Sequence, residues 1–150
     1  MIKNKSVLAI TLARGGSKGI PKKNIIPLNG KPLLEYTIEE VKKSKFIDKY
    51  IVGTDDEDIK LVCDKNDVNV INRKPVKDTQ TTAEGLLEIL NQLPQYDYII
   101  EIMCTNPFKT VKDIDSVIEK LSNSNGNSVT SVTRIWDNHP NRVKFISNGI

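Results

Sequence analysis

Residues 7–24 read VLAITLARGGSKGIPKKN, six apolar and β-branched residues followed by an abrupt change to Gly, Arg, Lys and Ser. A short apolar run bounded by polar residues is what a central strand covered on both faces requires. The glycine-rich, cationic stretch directly after it brings backbone N–H, guanidinium and ammonium groups to one place, the chemistry of a phosphate cradle. A nucleotide or another polyphosphate is therefore the expected ligand. Arg14 offers a bidentate grip on phosphate oxygens and Lys18 a mobile point charge, while Gly15, Gly16 and Gly19 allow tight turning and close approach of a ligand to the main chain. The loop has neither the G-x-x-x-x-G-K-[ST] spacing nor the G-x-G-x-x-G fingerprint, which removes the main support for kinase, GTPase and NAD dehydrogenase readings.

The rest of the chain repeats the strand-then-helix theme. Residues 25–28 and the pair Asn29-Gly30 read as a brief extended piece and a turn, and Pro32 fits a first helical turn. Leu34, Ile38 and Val41 recur at helical spacing, with Glu39 and Lys43 as an i,i+4 pair. Strands are expected at 50–52, 68–71, 98–103 and 128–132. Helices are expected from a Thr54/Glu57 capping box with Ile59, Val62 and Cys63 inward, from a Thr81/Glu84 box with Leu86, Leu90 and Leu93 in one stripe, and from Thr110/Asp113 with Ile114, Val117 and Leu121 inward. Gly85 weakens its helix by about 0.5–1 kcal/mol relative to Ala. Strand–helix–strand units of about 30 residues favour parallel βαβ construction. In such sheets ligands sit at the carboxyl ends of the strands, so the loops 14–24, 54–57, 73–82 and 103–109 are expected to converge.

With 150 residues the chain has the size of one domain. The formal charge is +3, but residues 1–50 carry 11 Lys+Arg against 4 Asp+Glu, and residues 51–150 carry 11 against 15, giving +7 and −4. A basic first third suits a small anion; nucleic acid is disfavoured because the cations flank a glycine turn without aromatic stacking residues. Two cysteines, Cys63 and Cys104, do not make a disulfide framework, no cleavable leader pattern is present, and no run is long enough for a membrane span. A reduced, cytoplasmic protein without a membrane segment is the expectation. Asp55 is a carboxylate near the loop, with helix capping as its simpler role. His139 lacks partners at metal spacing, and Trp136 and Phe145 suit either a subunit arm or local packing. The final residues, 143–150, read as a strand entering a turn, so the chain looks as if it continues.

ARGGSKGIPKKNI followed by LNGKPLLEYTI resembles the signature of the acylneuraminate cytidylyltransferases, the CMP-sialic acid synthetases and their relatives. VGTDDEDI, NRKP, DTQTTAE, YDYIIEIMCTNPFKTVKDID and SVTSVT agree in order, so the resemblance spans essentially the whole chain as the N-terminal part of such a protein. It implies an α/β, three-layer Rossmann-like nucleotide-sugar transferase fold with a mostly parallel sheet. The implied reaction, with Mg²⁺, transfers CMP from CTP to an acidic, nonulosonate-type sugar and releases pyrophosphate.

By motif position, Leu12 and Ala13 border the cytosine, and Arg14, Ser17, Lys18 and Lys23 handle the triphosphate along the Gly15-Gly16 backbone. Lys23 is preferred over Lys22. Asn24 falls on a nucleotide-contacting position, and Arg73 and Thr82 match loops that close over base, ribose or acceptor. Arg14, Lys18 and Lys23 are the expected catalytic cations. Residues 1–150 then form the nucleotide-binding domain, with residues 136–150 starting a dimerisation segment of a homodimer and the metal-binding carboxylate pair beyond Ile150. Two positions depart from the family pattern QPTSPLR: Met103 replaces Gln and Lys109 replaces Arg, which alters acceptor or base recognition. Met103 otherwise reads as a strand-end core residue. A nucleotidyltransferase of different base or sugar specificity, or a catalytically incomplete nucleotide-binding module, is the alternative.

Overall fold

The structure, a computed structural model, describes residues 1–17, 19–75 and 79–132. Lys18, Trp136, His139, Phe145 and the segments 136–150 and 143–150 singled out above lie outside the described residues.

The central strand is β1 (Val7–Leu12), as its apolar run predicts. Both of its faces are covered because alternate side chains go to opposite layers. Val7 and Ala9 pack with Ile114 and Ile118, and Leu8 and Ile10 pack with Ile89. β4 (Lys49–Thr54) pairs with β1 on one side and β6 (Tyr98–Glu101) on the other, both parallel, and β5 (Asn69–Asn72) pairs parallel with β4. The order β5-β4-β1-β6 leaves the first strand of the chain in the interior. Residues 128–132 form no strand, contrary to expectation; their β-branched composition is a preference that counts only when a neighbouring strand accepts it.

Among the described residues four helices complete three layers. α1 (Leu33–Lys42) buries Leu34, Ile38 and Val41, the stripe read from the sequence. It shares one side of the sheet with α2 (Glu57–Lys65), through Ile59 and Cys63, and with α4 (Val111–Ser122), while α3 (Thr82–Leu90) covers the other. In α4 the fully inward residues are Ile114 and Ile118, with Val117 and Leu121 only half-buried. α1 begins after Pro32, which belongs instead to a small hairpin of β2 (Pro27–Leu28) and β3 (Lys31–Pro32). Both turn residues have positive φ, Asn29 at 49° and Gly30 at 78°, the combination a two-residue hairpin turn of type I′ needs.

Two local expectations shift by a residue or more. Thr81 and Thr110 form complete capping boxes with Glu84 and Asp113. α2, however, is capped by Asp56, whose Oδ1 accepts the Ile59 N–H at 3.1 Å, and Thr54 Oγ1 accepts the Asp56 N–H at 3.1 Å. Lys43 pairs with Glu40 at 2.5 Å rather than with Glu39, which takes Lys31 at 2.7 Å. No helix is long and apolar enough to cross a membrane among the described residues.

Candidate nucleotide site

The loop after β1 is held from three directions before any ligand is considered. The Gly15 N–H donates to Asp55 Oδ1 at 2.9 Å. A Cβ at Gly15 would lie 2.2 Å from Asp56 Oδ2, so only glycine lets the loop rest on the capped start of α2. Asn24, buried in the short 3-10 turn Lys23–Ile25, donates through Nδ2 to the Arg14 carbonyl at 2.9 Å and accepts from the Cys104 thiol at 3.1 Å. Lys22, in the left-handed region at φ 50°, turns back to an ion pair with Asp58. Neither Gly15 nor Gly16 has a positive φ, whereas Lys22 does, and no described residue lies near the Cβ direction of Gly16 or Gly19.

A cavity of about 320 Å³ opens above the carboxyl ends of β1 and β6. Leu12, Arg14, Ser17, Lys23 and Asn24 form one wall, Arg73 and residues 80–82 the second, and Glu101 with residues 103–105 the third. The structure thus brings together seven residues expected at the site, Leu12, Arg14, Ser17, Lys23, Asn24, Arg73 and Thr82. Ala13 is not among them: it is fully buried against Leu34 and Val52, and its N–H donates to the Gly53 carbonyl. Gly15 and Gly16 lie outside the lining as well. The loop 54–57 supports the glycine loop from below instead of facing the cavity.

Arg73 is the most enclosed of the cavity cations. Its side chain is 4% exposed, its Nη2 donates to Gln80 Oε1 at 2.8 Å, and its Nε lies 3.7 Å from Glu88 Oε2. Nε has no hydrogen-bond partner among the described residues. Burial pushes the Glu101 carboxyl and the Cys104 thiol above their ordinary values, favouring the protonated forms. Lys109 lies outside the lining; burial lowers its pKa, and its ammonium donates to Thr37 Oγ1 at 2.7 Å. Met103 is 64% exposed at the cavity rather than in the core. The reason is that β6 ends at Glu101, and Ile99, Glu101 and Met103 alternate onto a side of the strand that nothing described covers.

Gln80, Thr81 and Thr105 also line the cavity, from loops expected to converge there although these residues were not singled out, and Glu101 lines it from outside those loops. Glu101 had a signal: it is the single charge closing the apolar run YII at a strand's carboxyl end. Among the described residues no group of three His, Cys, Asp or Glu side chains gathers as a metal site. Glu101 is the one carboxylate in the lining among the described residues, so these residues do not by themselves build a Mg²⁺ site.

A parallel sheet between helices, with a cationic cavity at the carboxyl end of its first strand, defines the nucleotide-sugar transferase version of a Rossmann-like fold. A solved CMP:2-keto-3-deoxy-manno-octonic acid synthetase complexed with CTP superposes with a TM-score of 0.71 at 19% identity, over 78% of this chain and 47% of that one. That likeness is one of fold.

The sequence model of the cytidylyltransferase family matches residues 8–144, and the chain belongs to that family. An N-acylneuraminate cytidylyltransferase of Oncorhynchus mykiss is 35% identical over 130 residues, covering 85% of this chain and 30% of the relative. A pseudaminic acid cytidylyltransferase of Campylobacter jejuni is 34% identical over 121 residues, covering 76% of this chain and 52% of the relative. The chain therefore spans between about a third and a half of the length of these relatives.

Proposed function

We propose that the cavity binds CTP and that the chain serves the transfer of CMP to a sialic-acid-like sugar with release of pyrophosphate. The observation that carries this reading is the convergence of Arg14, Lys23 and Arg73 on one cavity whose single lining carboxylate among the described residues is Glu101. Such a balance favours a polyanion over a neutral ligand. In the proposed reaction an anomeric hydroxyl of the sugar attacks the α-phosphorus of CTP and pyrophosphate leaves. Both reactants are anionic, so alignment and cationic stabilisation of the phosphoryl oxygens supply the catalysis. Arg14, Lys18 and Lys23 neutralise the triphosphate, Asn24 fixes the loop, and Leu12 offers an apolar surface to the base. Mg²⁺ would enter with the triphosphate, where it supplies further neutralisation of phosphate charge.

The names of the relatives, N-acylneuraminate and pseudaminic acid cytidylyltransferase, support an acidic nine-carbon acceptor. Exposed Met103 presents a thioether to that acceptor, so an apolar substituent is favoured over a hydroxyl at this contact. A homodimer and a cytoplasmic setting complete the proposal; two buried free cysteines accord with a reducing compartment. Calorimetric titration of this chain with CTP, UTP and GTP tests the nucleotide, and a pyrophosphate assay with a panel of acidic keto-sugars tests the reaction. Binding confined to CTP, with pyrophosphate released only when sugar is added, is expected. Preference for UTP or GTP overturns the reading.

A second reading is a nucleotide-binding module without turnover. CTP binding without pyrophosphate release would select it.

A further inference from the structure

Gly85 is a poor residue for the middle of a helix, and Glu88, one turn on, contributes nothing to the cavity lining. Both touch the same object. A Cβ at Gly85 would stand 2.6 Å from Arg73 Nη2, 3.3 Å from its Cζ and 3.0 Å from Leu12 Cδ1. Gly53 on β4 passes the other part of the same side chain: a Cβ there would meet Ile89 Cδ1 at 2.1 Å and Arg73 Cδ at 3.1 Å. The arginine thus runs through a sleeve whose two narrowest points are glycines.

Glu88 closes the sleeve. Its Oε1 accepts the Lys74 N–H at 2.9 Å, and its Oε2 accepts from Gln80 Nε2 at 3.4 Å and lies 3.7 Å from Arg73 Nε. Gln80 passes the connection on, since its Oε1 accepts from Arg73 Nη2. The guanidinium is consequently restrained at both of its edges, yet its buried Nε is left without a hydrogen bond among the described residues. Leaving such a group desolvated and unsatisfied costs stability. A sequence selected for stability alone would place a residue with a side chain at position 85 and an apolar residue at position 73.

We propose that Gly85 and Glu88 are positioning residues for Arg73, holding its guanidinium in one orientation at the cavity wall so that it meets a nucleotide or its sugar acceptor there. The inference rests on the CTP reading for its ligand and on the sleeve geometry for everything else. A loop that merely needed anchoring would be served by the Lys74 N–H bond alone, and that bond survives Glu88→Gln.

The test is a double-substitution cycle on the full chain, read both by CTP titration and by thermal midpoint. Gly85→Ala is expected to weaken CTP binding about tenfold when Arg73 is present and less than twofold in the Arg73→Ala background. Its thermal cost should likewise shrink or vanish once Arg73 is gone, because alanine is the better helix former. Glu88→Gln, which keeps the loop acceptor but removes the charge beside a buried guanidinium, should weaken CTP binding about threefold to tenfold and lower the midpoint, the latter chiefly while Arg73 is present. Leu87→Ala on the exposed side of α3 should change neither. Equal effects of Gly85→Ala with and without Arg73, or unaltered CTP affinity in Glu88→Gln, overturn the proposal. If the unsubstituted chain does not bind CTP while the thermal coupling between positions 73 and 85 persists, the nucleotide reading fails and the sleeve stands.

Discussion

The two ends of the sheet carry hollows of nearly the same size, about 320 Å³ at the carboxyl ends of β1 and β6 and about 310 Å³ beside the start of β4. Their charges differ. The first is lined by Arg14, Lys23 and Arg73 against Glu101; the second by Lys42 and Lys49 against Asp48 and Asp67. At the amino end the carboxylates are also consumed by the fold itself. Asp48 accepts from the Val7 N–H at 2.8 Å and from the N-terminal ammonium at 2.7 Å. Asp97 accepts from the Ser6 N–H at 2.8 Å, from Ser6 Oγ at 2.9 Å and from Lys5 at 3.0 Å. Volume therefore does not mark the site. What marks it is an excess of cationic over acidic groups in the lining among the described residues.

The contrast can be broken most severely through the strand both ends share. Ile10 is fully buried, and Ile10→Ala should cost about 2–5 kcal/mol. Urea denaturation should show both ends lost in one transition. Next in size, Arg14→Ala combined with Lys23→Ala should weaken CTP binding on the order of a hundredfold, whereas Lys42→Ala with Lys49→Ala should leave it within about twofold. Equal losses from the two pairs, measured by calorimetry, would mean that charge balance does not distinguish the hollows.

Thr110→Ala, at a capping box away from the cavity, should cost about 1 kcal/mol of stability with CTP affinity unchanged. The smallest effect is one of pH. Hydrogen bonds from the Ser6 N–H, Lys5 and Ser6 Oγ hold the Asp97 carboxyl at about 2 against an ordinary 3.8. A depressed folded-state value stabilises above the unfolded one, so this contribution is complete above about pH 4 and is lost as pH falls towards 2. Asp97→Asn should flatten the acid limb of the stability profile there without changing CTP affinity at neutral pH.

How far the sequence reached depended on the range of the interaction being read. β1, the α1 stripe and the capping boxes at Thr81 and Thr110 were legible because period and cap are set by residues three or four apart. The cationic and polar side chains that flank the glycine loop were legible at the cavity, since Arg14, Ser17 and Lys23 all line it. What the loop's composition did not reveal is that Gly15 answers to Asp56 on another element, so the residue's role is packing rather than backbone reversal. Met103 was misplaced because burial of β6 depends on a neighbour that local pattern does not specify. Gln80 and Glu88 carried no signal: their meaning lies in Arg73, and a contact across the fold leaves no trace in spacing.

The seating of Gly15 against the carboxylate that caps α2 has a mechanical side. Loop and helix are geared together, since neither can be displaced without driving Asp56 into the backbone or away from the Ile59 amide. An anion settling on the loop would then quieten the opening turn of that helix, and slowed deuterium uptake at residues 57–60 would register the event from a distance.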